Sequence, residues 1–141
     1  MATITRFLPI ATAYVIMSLV LTEVGGHLEG TTLARRIVDL LADRQAEDIL
    51  LLAIGKVTVF ADYFVIASAP TVRQMQALCD AIDSELAKDG ISAHGREGAP
   101  ASGWVLLDLG DVVVHIFGPD ERHFYDLEGL WQQATPVVRI Q

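Results

Sequence analysis

Asp62, Asp108, Asp111 and His115 are the side chains whose types could do chemistry together. Two carboxylates on neighbouring strands, Asp62 and Asp108, could hold a divalent metal as nucleotidyl transferases do. Such sites pair carboxylates at one-residue spacing and add a glycine-serine loop for phosphate, and this chain has neither. His94 and His123 stand in other segments, so His115 has no second histidine at ligand spacing. A lone imidazole on a sheet face is most simply a surface or hydrogen-bonding group, and Asp111 is most simply a turn residue. Ser68 and His115 could be paired as nucleophile and base, but Ser68 sits in Ile66-Ala67-Ser68-Ala69-Pro70, without the G-x-S-x-G elbow. No GxGxxG or GxxxxGK loop is present to cradle a phosphate. The only cysteine, Cys79, falls in an apolar helical stripe and reads as a packed thiol. One cysteine can form no internal disulfide and no cysteine-based zinc site, and it suits a reducing compartment. No cofactor or metal is implied. Glu97 lies in a glycine- and proline-rich loop, where a carboxylate could meet a basic partner.

The elements that must position these residues centre on the run from Trp104 to Phe117. It predicts a hairpin closed by Gly110-Asp111, with Leu109 opposite Val112. Alternation then puts Val105, Leu107, Leu109, Val112, Val114 and Ile116 on one aliphatic face. Trp104, Leu106, Asp108, Val113, His115 and Phe117 fall on the other, a mixed face suited to meeting a partner.

Around the hairpin, Thr31 or Thr32 can cap a first helix running to about Arg44. The runs 48–54 and 62–68 read as strands. Thr71-Val72-Arg73-Gln74 is a capping box, and the helix behind it carries Met75, Leu78, Cys79, Ile82 and Leu86 on one stripe, ending at Gly90. Residues 91–94 read as a third strand, 95–103 as a loop, and 120–131 as a last helix stopped by Pro136, with 137–140 a short tail. The sum is an α/β (α+β) domain: a mixed sheet of about five strands flanked by helices. With both long helices on the aliphatic side, the Trp104/His115 side stays less covered.

The 141 residues suffice for one domain and one core. The net charge of −8, from 10 basic and 18 acidic residues, argues against direct, broad nucleic-acid binding. It favours a basic protein partner or simple solubility. Residues 1–30 differ in character: Leu8 to Thr22 is almost wholly apolar, preceded by Arg6 and followed by Gly25-Gly26. A secretory signal would start this way but lacks a convincing cleavage site, and a membrane span would be longer. We expect instead an apolar N-terminal extension, buried or partner-covered, or a start placed too early, with Met17 an internal alternative. No membrane association is expected, and an exposed hydrophobic face predicts a weak homodimer.

Residues 31–141 closely resemble the ribosomal silencing factor, or iojap-like, family. The resemblance rests on Ala46-Glu47-Asp48-Ile49, on Ala61-Asp62-Tyr63-Phe64-Val65-Ile66, on Gln74 and on Glu97-Gly98. It continues through the run from Trp104 to Phe117, Arg122, Phe124-Tyr125, Leu127-Glu128 and Leu130-Trp131. Position 61 departs, with alanine where the family usually has threonine, and residues 1–30 have no counterpart. The resemblance implies a non-catalytic cytoplasmic protein with a nucleotidyltransferase-like fold lacking the catalytic set. It implies binding to the large ribosomal subunit through its basic ribosomal protein fourteen, blocking the joining of the small subunit and repressing translation. On that reading Trp104, His115 and Phe117 are aromatic or apolar contacts, and Tyr63 extends the patch. Asp62, Glu97 and Asp108 then face lysine or arginine. The alternative is a metal-dependent nucleotidyl transferase using Asp62 and Asp108.

Overall fold

A computed structural model describes residues 28–141. The apolar extension expected over residues 1–30 therefore lies, but for its last three residues, outside the described residues. In chain order the elements are α1 (Leu28–Asp43), β1 (Glu47–Ala53), β2 (Tyr63–Ser68), α2 (Val72–Ala87) and β3 (Gly95–Ala99). A short 3-10 turn (Pro100–Ser102) leads to β4 (Trp104–Asp108), β5 (Val112–Phe117), α3 (Pro119–Tyr125), α4 (Leu127–Leu130) and β6 (Thr135–Ile140). The strands form one mixed six-stranded sheet in the order β3-β4-β5-β2-β1-β6. Among the described residues only the central β2–β5 pair is parallel.

The hairpin has the register that its turn dictates. Trp104 pairs with Phe117, Leu106 with His115 and Asp108 with Val113, and the Leu109 amide donates to the Val112 carbonyl at 2.9 Å. Gly110 takes the left-handed φ of 91° that closes so tight a turn. All six residues of the aliphatic face enter one core with Ile37 and Leu41 of α1 and the Met75–Leu86 stripe of α2. Each large aliphatic side chain buried there contributes about 1.5–3 kcal/mol. Both long helices thus lie on one side of the sheet, as the pattern predicts.

Five local expectations need correction. Thr31 does not cap α1; it lies inside the helix, buried, with its hydroxyl bonded to the Tyr63 hydroxyl. Thr71 caps α2 by accepting from the Gln74 amide at 3.1 Å, but the box stays open because the Gln74 side chain donates to the Gln45 carbonyl instead. The third strand is Gly95–Ala99, not residues 91–94. Its glycines have little strand propensity, yet β4 offers an unpaired edge that satisfies their backbone groups. The last helix breaks in two because Asp126 turns left-handed, with φ of 45°. The tail is a sixth strand against β1; Pro136 is tolerated because β6 is an edge.

Candidate docking surface

Cross-strand pairing builds the mixed face row by row. Glu97, Leu106, His115 and Ile66 share one row, and Trp104, Phe117 and Ser68 another. The short helices α3 and α4 cover the middle of this face, where Phe64, Ile66, Phe117 and Leu127 form a second, smaller core. Toward the β3 edge the cover stops. Trp104, Leu106 and Asp108 lie there half-buried, with Glu97 exposed beside them.

The orientation of Trp104 is set on several sides. Its ring stacks on Phe117 at 4.9 Å between centroids, lies 4.7 Å from the Tyr125 ring, and its indole N–H donates to His115 Nδ1 at 3.2 Å. His115 is in turn 4.7 Å from Phe64, edge-on, and Phe64 is 5.2 Å from Trp131. An aromatic chain therefore crosses the face, and its half-exposed end is an indole with restricted freedom. Burial pushes the His115 pKa down to about 4. The imidazole is neutral at physiological pH, and the bond from Trp104 to Nδ1 puts its proton on Nε2.

The seven residues singled out from sequence fall into four places. Trp104, Asp108 and Glu97 come together at the open edge of the mixed face. His115 and Phe117 are on that face but only 3 % and 0 % exposed; they support the indole from below rather than offering surface. Tyr63 is not part of the patch. The parallel register sets it opposite Val112, which turns it into the aliphatic core, and Phe64 faces the mixed side instead, buried in the second core. Asp62 precedes β2 beside the hairpin turn, its amide donating to the Asp111 carbonyl at 2.8 Å.

Sequence reasoning passed over several surface groups. Phe124 is 78 % exposed and Leu130 76 % exposed, with Tyr125 also open to solvent. Their spacing reads as a packing stripe if the last helix is continuous; the break at Asp126 turns part of that stripe outward. Leu106 was on the predicted mixed face, and its place between Glu97 and His115 makes it part of the open edge.

The arrangement suits binding. The Asp108 carboxylate accepts from the Gly110 amide at 2.9 Å and so serves the hairpin turn. Among the described residues no group of three or more His, Cys, Asp or Glu could hold a metal ion. Cys79 is buried, and burial pushes its thiol up to about 11, far from a reactive thiolate. Among the described residues no helix is long and apolar enough to cross a membrane.

Comparison with known proteins gives a consistent result. Residues 28–141 match the family model described as ribosomal silencing factor during starvation. The Bacillus subtilis protein named ribosomal silencing factor RsfS is 45 % identical over 92 residues, spanning 65 % of this chain and 78 % of that protein. A mouse protein named mitochondrial assembly of ribosomal large subunit protein 1 is 31 % identical over 98 residues, covering 67 % of this chain and 43 % of its own length. A crystal structure of a Chromobacterium violaceum protein, 34 % identical, superposes with a TM-score of 0.68 over 72 % of this chain and 84 % of that one.

Proposed function

The chain belongs to the ribosomal silencing factor family, and from that premise we propose that it is a non-catalytic translational repressor of the large ribosomal subunit. It docks in the cytoplasm on the basic ribosomal protein fourteen of that subunit and occludes the surface that the small subunit would join. The name of the mouse relative, which refers to the large subunit, supports the choice of subunit. The observation that carries the reading is Trp104: a half-buried indole, held by Phe117, His115 and Tyr125, with Glu97 and Asp108 farther along the same open edge. An aromatic anchor fixed before binding loses little entropy on docking, and a rim of carboxylates fits a basic partner.

Co-sedimentation with purified large subunits tests this. The native protein pellets with them, and Trp104→Ala weakens binding by roughly 30-fold, the loss typical of a central aromatic anchor. A native protein that stays in the supernatant overturns the function. Equal binding by the variant overturns the site.

A further inference from the structure

We infer that Asp48 is a positioning residue for the docking surface, acting through a buried arginine clasp that fixes α3 and α4 over the mixed face. The inference rests on the docking reading above and deepens it. Helices of seven and four residues do not hold their own shape in water. What ties them to the sheet in polar terms is Arg122 of α3, whose side chain is 8 % exposed. Its Nη1 donates to the Asp48 carbonyl and to Ser68 Oγ, both at 2.9 Å, and its Nε donates to Glu128 of α4 at 2.9 Å. Its Nη2 is ion-paired with the Asp48 carboxylate at 3.5 Å. The same carboxylate accepts from Arg139 of β6 through Nε at 3.0 Å and Nη2 at 2.9 Å, a two-pronged pair.

Asp48 reaches both arginines from an unusual backbone. Its φ is 47°, and the pairing of β1 with β2 breaks register between Glu47 and Leu50. Such a bulge re-aims one residue within a strand. A non-glycine residue keeps a left-handed conformation in a strand only where its surroundings hold it there, and aspartate tolerates it better than most. The consequence reaches the surface through one helical turn. Arg122 stands three residues before Tyr125, whose ring packs on Trp104 and Phe117. If Arg122 loses its anchor, Tyr125 loses its place, and the indole loses one of its walls.

The test is Asp48→Asn in the full chain. Asparagine keeps the size and the left-handed tolerance but removes the charge that two arginines share. Trp104 and Trp131, the only tryptophans, both adjoin the clasped segment, so their emission reports its position. The expected result is a red-shifted emission and about a tenfold loss of large-subunit affinity. Tyr63→Phe, which loosens the opposite face, is the control and leaves both at native values. Native emission in Asp48→Asn, or an equal shift in Tyr63→Phe, overturns the inference. If Asp48→Asn shows no cooperative melt, Arg139→Gln, which removes only the outer arm, must give a smaller shift of the same sign; no shift overturns the inference. Should the native protein not bind subunits at all, the docking reading fails, and the emission shift alone decides the clasp.

Discussion

Tyr63 and His115 show how one side chain can look like a contact and serve as support. The Tyr63 hydroxyl shares a buried hydrogen bond with Thr31, across the face that carries no partner surface. Tyr63→Phe leaves the Thr31 hydroxyl with one partner fewer and costs about 1 kcal/mol, read by urea denaturation, while co-sedimentation with large subunits is unchanged. His115 makes a pH prediction. Its folded pKa of about 4 lies below the ordinary 6.5 because burial disfavours the imidazolium. Between those values the unfolded chain takes up a proton and the folded chain does not, so stability rises with pH through that window and falls on acidification. The full span is worth about 3 kcal/mol as an upper bound. His115→Asn keeps an acceptor near Nδ1 and cannot titrate, so its stability between pH 4 and 6.5 changes less than the native protein's in matched denaturation curves.

At the scale of elements, the hairpin register and both long helices were legible because period and turn agree with burial. Leu109 facing Val112 follows from Gly110-Asp111 alone, and the Met75–Leu86 stripe needs only helical spacing. Trp104 and Asp108 followed from the same alternation, whereas Glu97, read as a loop carboxylate, joins their face only through the pairing of β3 with β4. β3 was hidden because Gly95, Gly98 and an exposed edge carry no hydrophobic alternation; only the neighbour's unpaired backbone makes it a strand. Tyr63 was misplaced because parity within β2 does not say which face is which until β5 is set beside it. The break at Asp126, which exposes Phe124 and Leu130, has no sequence mark as plain as a proline. β3 also yields a sharp contrast. A methyl group on Gly98 would lie 2.1 Å from the Trp104 carbonyl oxygen, at φ of 79°, whereas one on Gly95 meets nothing within 4 Å. Gly98→Ala therefore costs at least about 2 kcal/mol and displaces Trp104, weakening subunit binding. Gly95→Ala stays within about 0.5 kcal/mol of native. Thermal melts of the two variants, run together, decide it.

For the molecule as a whole, the net charge of −8 sets how it would find a ribosomal subunit. Ribosomal RNA presents dense phosphate that repels such a body, and only a basic protein patch attracts it. Long-range attraction acts on encounter, while desolvated contacts act on escape. Glu97 is exposed at the rim, so it belongs to the first class; Trp104, packed against Phe117 and Tyr125, belongs to the second. Stopped-flow binding to large subunits separates them. The association rate falls as salt is raised toward physiological strength, where the screening length shrinks to about 8 Å. Glu97→Gln lowers the association rate and flattens its salt dependence with little change in dissociation, and Trp104→Ala does the reverse. The sign is the decisive part. Docking against a basic protein weakens with added salt, whereas an approach governed by repulsion from RNA speeds up as salt screens it. An association rate that climbs with ionic strength would remove the basic protein as the partner while leaving the hairpin's anchor to be explained by another surface of the subunit.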